Sequence, residues 1–232
     1  MREIILDTET TGLDPRQGHR IVEIGAVELI NHIPSGRTFH VYIDPERDVP
    51  RDAREVHGLT TEFLRGKPRF DDIADDFLTF IADAALVIHN ADFDTAFLNA
   101  EFARLDLASL LPERLIDTLQ LARTRHPMGP NSLDALCKRY GIDNSRRTKH
   151  GALLDAELLA ECYIELIGGR QAALMLSAAA AVETSLIQIA QHRVIRPRPL
   201  IRFVSPEEEA AHASLIADLG PNALWLAVAL PH

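Results

Sequence analysis

Cysteine is scarce in this chain. Only Cys137 and Cys162 occur among 232 residues, far apart in the sequence and inside segments that read as helices. That excludes a disulfide framework and a cysteine-based zinc site, and fits a reducing compartment. Long apolar runs are also missing. The most apolar stretch, 172–190, is alanine-rich and carries Glu183 and Gln188, a poor membrane span, so no membrane partner is expected. The opening MREIILDTET has no basic region leading into an apolar core, so no signal peptide is expected and a cytoplasmic location is. Basic residues are the third shortage: 24 Lys and Arg stand against 34 Asp and Glu, a net charge of −10. A protein that grips duplex nucleic acid through a basic face shows the opposite balance. Any affinity of this chain for a phosphate backbone would have to come from bound cations and partners.

What is present is ordinary for a globular protein, with 47% hydrophobic and 25% charged residues and enough length for one sizeable domain plus an appendage. Glu3–Leu6, Ile21–Ile30 and Phe39–Ile43 are β-rich, separated by Gly12, Pro15 and Gly18 in one gap and by Pro34 and Gly36 in the next. The apolar spacing of Phe70, Ile73, Ala74, Phe77, Leu78 and Ile81 predicts a helix over 70–81. A short strand at Leu86–His89 precedes a helix from about Asp94 to Leu105. Another short strand ends near Asp117. Helices then follow at Thr118–Arg125, Ser132–Tyr140 and Ala152–Ile167. Three strands followed by alternating helices and strands predict an α/β fold, a mixed sheet flanked by helices. Gly168-Gly169 closes this domain as a helix C-cap.

Three groups of residues carry chemistry. Asp7 and Glu9, two apart on a strand after Ile4-Ile5-Leu6, share one face, where paired carboxylates repel and desolvate each other unless cations or protons intervene. Taken alone, such a pair is equally a solvated strand end. In Val87-Ile88-His89-Asn90-Ala91-Asp92-Phe93-Asp94 a buried strand runs into a helix start. Asp94 is assigned the metal role and Asp92 an exposed turn or cap position. In His150-Gly151-Ala152-Leu153-Leu154-Asp155, five helical steps would turn the two residues about 140° apart. His150 is therefore placed on the loop before the helix and Asp155 in its second turn, facing the sheet. A histidine beside a buried acid suits a general base working near neutral pH.

The order D-x-E, then N-x-x-F-D, then H-x-x-x-x-D, over about 150 residues, resembles the DEDD exonuclease superfamily in its histidine-bearing DEDDh subclass. The likeness extends to Val56-His57-Gly58-Leu59, to Asn131-Ser132-Leu133-Asp134-Ala135-Leu136-Cys137 and to the run 142–155. It implies a ribonuclease H-like fold over an exonuclease domain of residues 1–168. It also implies two divalent cations, Mg²⁺ or Mn²⁺, held by Asp7, Glu9, Asp94 and Asp155, with His150 taking the proton of the attacking water. Four carboxylates without cysteine suit hard cations better than zinc. Thr10, Thr11, Gly12 and Leu13 would receive the last nucleotide, with Leu13 against the bases and His57 near the terminal sugar. Arg146, Arg147 and Lys149 fit either a phosphate contact or a solvated loop.

The resemblance is strongest to the branch that proofreads for a bacterial replicative polymerase, removing mismatched 3′-terminal nucleotides as 5′-monophosphates. Gln171, Leu174 and Leu176 in 171–176 look like a sliding-clamp-binding peptide within a linker, 169–197, and 198–232 resembles a segment that binds the polymerase catalytic (alpha) subunit, with Phe203 and Trp225. A small third core subunit is a further possible partner. Ser205-Pro206 with Glu208 reads as a helix start with a capping box. Packing of this tail back onto the domain is the alternative to docking. Two other functions fit the same residues: an RNA or tRNA 3′-trimming exonuclease, and a non-catalytic polymerase–clamp scaffold.

Overall fold

The computed structural model describes residues 1–168 and 204–219. The chain divides into two units, of which the first contains the sheet. Strand β1, Arg2–Thr10, runs four residues past its apolar stretch because Asp7 to Thr10 continue the antiparallel ladder with β2, Ile21–Ile30. A register shift between Glu9 and Thr10 then re-aims the chain. Strand β3, Ile33–Tyr42, begins six residues before Phe39. Asn31 and His32, with φ of 50° and 65°, make a two-residue hairpin turn that carries no glycine signal, and Pro34 is tolerated because β3 is an edge strand.

Helix α1, Arg51–His57, and the short α2, Thr61–Leu64, fill a region without a periodic signature. Helix α3 spans Phe70–Ile81, as its spacing predicts. Strand β4, Ala85–Ile88, leads into α4, Ala91–Arg104, and β5, Leu115–Asp117, into α5, Thr118–Arg125. Helices α6, Leu133–Tyr140, and α7, Ala152–Leu166, complete the unit. The five strands lie in the order β3-β2-β1-β4-β5, with β1, β4 and β5 parallel and the outer hairpin antiparallel. The predicted mixed sheet is observed.

Both faces of the sheet are covered, so the centre of β1, with Ile4, Ile5 and Leu6, and all of β4 read as unbroken apolar runs. Leu6, Ile24 and Leu86 pack with Phe70, Phe77, Phe97 and Phe102 on the α3–α4 side. Ile5, Val27 and Val87 pack with Leu136, Leu158 and Leu159 on the α6–α7 side. Cys137 and Cys162, far apart in sequence, meet across α6 and α7 as buried thiols with Sγ atoms 3.7 Å apart. Gly25 is where α7 reaches the sheet: a Cβ there would lie 2.1 Å from the backbone of Ala152 and Leu153. Since Gly25 pairs with Asp7, this contact sets the start of α7 against the Asp7 end of β1.

In the second unit, α8 covers Pro206–Asp218 with Ser205 as N-cap and the predicted capping box to Glu208. The clamp-binding peptide assigned to Gln171, Leu174 and Leu176, and the tail residues Phe203 and Trp225, lie outside the described residues. No helix among the described residues is long and apolar enough to cross a membrane.

Candidate active site

The parallel strands β1, β4 and β5 end at one edge of the sheet, and the chemistry-bearing residues gather there. Asp7 and Glu9 project from β1 on the α7 side. Asp94 arrives from α4, where its Oδ1 accepts hydrogen bonds from the Thr8 backbone N (3.0 Å) and Thr8 Oγ1 (2.6 Å). Helix α4 starts at Ala91 and not near Asp94, because Asn90 enters it in the left-handed conformation (φ 66°) without a side-chain cap. Asp92 is therefore a first-turn helical residue pointing to solvent, not a turn or cap, and Asp94 two places on turns inward and is buried.

Asp155, buried, stands in the fourth position of α7, and His150 on the preceding loop, its backbone N bonded to Val56 O (3.2 Å). Its Nδ1 lies 3.3 Å from Asp155 Oδ2, and its side chain is 49% exposed. Ligand atoms of Glu9, His150 and Asp155 lie within 4.8 Å of one another.

Arg147 is neither a solvated residue nor an arm free for phosphate. Its side chain is 7% exposed and forks onto Asp155, with Nε–Oδ1 at 2.6 Å and Nη2–Oδ2 at 2.7 Å. It also reaches Asp134 Oδ2 at 2.9 Å and His150 Nδ1 at 2.8 Å. The turn at 143–148 folds this loop back between α6 and α7, a tertiary event no local pattern announces. Arg146, in contrast, is exposed, and Lys149 donates to Glu55 O.

The carboxylates are not equivalent. Burial, then the charges of Asp94, Glu9 and Asp155, push Asp7 well above the usual carboxylate range. Burial, with Asp155 and Glu23 opposite it, pushes Glu9 to about 8. Burial raises Asp94 to about 7 against the pull of the Thr8 hydrogen bonds. For Asp155 burial is outweighed by the hydrogen bonds from Arg147 and His150, and its carboxyl lies below the usual range. Three neighbouring acids that resist ionisation call for positive charge between them. Glu9 Oε1, buried without a hydrogen-bond partner, points to the same need. Hard oxygen donors without thiolate fit a divalent cation, and the residues present fit that group.

Two cavities meet at these acids, both lined by Asp7, His89, Asn90 and His150. The smaller, about 590 Å³, is walled by Thr10, Gly12, Leu13, Val56, His57 and Phe93. Leu13 is 85% exposed, and His57 is buried with Nε2 unpartnered. His57 Nδ1 accepts from Leu59 N (3.0 Å), and burial holds its pKa below the ordinary histidine value. Gly12 is required by the His19 ring, which would stand 2.3 Å from a Cβ, while His19 bonds to Thr11 Oγ1 (3.1 Å). The larger cavity, about 1090 Å³, runs past Arg123, Pro127 and Asp134. His19, Gly25, Arg123 and the Arg147 fork have no distinguishing sequence signal, whereas Phe93 belongs to the N-x-x-F-D run.

Residues 4–163, which carry this sheet and the acids clustered at its strand ends, match the family described as Exonuclease, so the class is that of a nuclease. Among solved structures, Exonuclease X in complex with 5′ overhanging duplex DNA is similar at a TM-score of 0.56 and 26% identity, over 72% of this chain and 92% of that one. The nuclease domain of 3′hExo, a DEDDh family member, shares the fold at a TM-score of 0.62 and 19% identity, covering 72% and 92%. The DNA polymerase III subunit epsilon of Rickettsia conorii is 58% identical over 189 residues, 80% of this chain and 82% of that protein. The subunit of the same name from Escherichia coli is 43% identical over 240 residues, covering 97% and 98%. The chain belongs to the DNA polymerase III epsilon subunits, within the exonuclease family.

Proposed function

We propose that this exonuclease proofreads for a bacterial replicative DNA polymerase, removing mismatched 3′-terminal nucleotides one at a time. The observation that carries the reading is the buried acid cluster with an unpartnered Glu9 oxygen beside a half-exposed His150. Asp7, Glu9, Asp94 and Asp155 would hold two Mg²⁺ or Mn²⁺ ions. Bound divalent cations neutralise the phosphate and favour ionisation of the attacking water.

The residues of the chain do the rest. Leu13 and Phe93 wall the space for a terminal base, and His57 stands beside them for the sugar. Thr8 locks Asp94, and Arg147 holds Asp155 and the ring of His150. His150 takes a proton from the attacking water as that oxygen bonds to phosphorus, the bond to the 3′-oxygen breaks, and the departing 3′-oxygen takes up a proton from solvent. The products are a 5′-monophosphate and a strand shorter by one, ending in 3′-OH. A frayed, mismatched end reaches this site more readily than a paired one, since unpairing costs a few kcal/mol.

The test is digestion of a 5′-labelled primer with a mismatched 3′ end, with Mg²⁺, with Mn²⁺ and with chelator. Stepwise shortening that stops with chelator is expected. His150→Ala is expected to keep its affinity for Mn²⁺, measured by calorimetry, while turnover falls roughly 10²–10⁴-fold. Unchanged turnover would remove His150 from the base role. A preference for an all-RNA primer would favour RNA trimming.

The polymerase catalytic subunit is proposed to dock on 198–232, which includes α8, and the sliding clamp on 171–176, with a small third subunit as a further candidate. The chain is accordingly proposed to work in the cytoplasmic replisome. The full chain, but not residues 1–168, is expected to co-purify with the catalytic subunit. Retention of the truncated chain would put the docking surface on the exonuclease domain.

A further inference from the structure

The acids sit between two cavities, and a polymer cut at its last linkage has to occupy both sides of the acids. The smaller cavity, walled by Leu13, Val56 and Phe93 with His57 beside them, suits one nucleoside. We infer that the larger cavity is the path of the single strand 5′ of the scissile bond, with Arg123 binding an upstream phosphate and Met128 packing on an upstream base. This rests on the exonuclease reading above and adds the direction of the strand across the site.

The acids of the larger cavity oppose such a strand, and Arg147 offsets part of their charge. Asp134 Oδ2 accepts from Arg147 Nη1 at 2.9 Å and Oδ1 from Asn144 Nδ2 at 2.9 Å, and the same guanidinium forks onto Asp155. Arg123, on the exposed side of α5, lines the cavity and forms no ion pair among the described residues. Its charge is therefore available to a ligand anion.

Met128 is 97% exposed on a loop that is braced from behind. Arg139 Nη2 donates to Pro130 O (2.8 Å), Asn131 Nδ2 donates to His126 O (3.1 Å), and Gly129 lies so close to Arg139 that a Cβ would meet its Nη2 at 2.6 Å. Pro127 and Gly129, on either side of Met128, both line the larger cavity. A braced loop thus carries an exposed apolar side chain between two residues that line the cavity. Stacking on any base face tolerates all sequences, as a proofreading enzyme needs.

Two substrates separate this from the exonuclease reading: a single-stranded oligodeoxynucleotide, and an aryl ester of thymidine 5′-monophosphate, which has no upstream nucleotide. Arg123→Gln is expected to lower kcat/KM on the oligonucleotide about tenfold through KM. The slope of log kcat/KM against log salt should fall by about 0.7. Met128→Ser should act in the same direction without changing the salt slope. In both variants the loss on the oligonucleotide should exceed any change on the ester. Equal losses on the two substrates, or full activity on the oligonucleotide, would overturn the assignment. A native chain inactive on both would overturn the exonuclease reading with it.

Discussion

Asp7→Asn is expected to cut exonuclease turnover by roughly a thousandfold or more, about 4 kcal/mol of transition-state stabilisation, while making the metal-free protein more stable. Both effects have one origin. Asp7 is at the centre of the cluster, where burial and the charges of Asp94, Glu9 and Asp155 oppose its ionisation. Without a cation, the native state holds protons on these acids that the unfolded chain has already released. Their contribution to the stability of the metal-free wild type is therefore largest at low pH, below the ordinary carboxylate values. It declines as pH rises, through about 7 for Asp94 and about 8 for Glu9. Asparagine removes one charge from that set, so the decline should be shallower.

Urea denaturation with chelator at pH 6 and pH 9, beside digestion with Mg²⁺, measures both effects. Metal at about a hundredfold over its Kd should raise the wild-type Tm by about 5–10 °C at pH 8, and the variant less. A variant as active as wild type, or one whose metal-free stability falls more steeply with pH, would remove Asp7 from the centre of the site.

Gly25→Ala is expected to destabilise the domain by about 3 kcal/mol or more and to reduce turnover as well. The new Cβ would lie 2.1 Å from the backbone of Ala152 and Leu153, and backbone, unlike the end of a flexible side chain, has nowhere to go. Relief requires α7 to lift off β2 at the end that carries Asp155. The chemistry would suffer through displacement of that carboxylate, without the loss of any group that touches substrate. The expected pattern is a lower denaturation midpoint together with weaker metal affinity, read by urea titration and calorimetry. A variant with the wild-type midpoint and undiminished affinity would show that α7 tolerates another seat.

The sequence by itself determined the elements with strong local codes. Phe70–Ile81 is a helix because its apolar residues recur at helical spacing along one side, and α8 starts at Pro206 because Ser205 and Glu208 satisfy the first turn. The two-residue offset of Asp7 and Glu9 on a strand, and the five-residue offset from His150 to Asp155, restricted how those groups could face. The tertiary structure decided what those offsets could not. Asn31-His32 closes a hairpin with left-handed residues that carry no glycine, so β3 starts earlier than its apolar end suggests. Asn90 begins α4 without a side-chain cap, which turns Asp94 inward and leaves Asp92 in solvent. Gly25 reads as any strand glycine until α7 is laid against it. Arg147 reads as one of several basic loop residues until the loop folds back and its guanidinium meets Asp155. Periodicity and caps are properties of neighbours in sequence, whereas close approach and charge pairing belong to segments that meet only after the chain has folded.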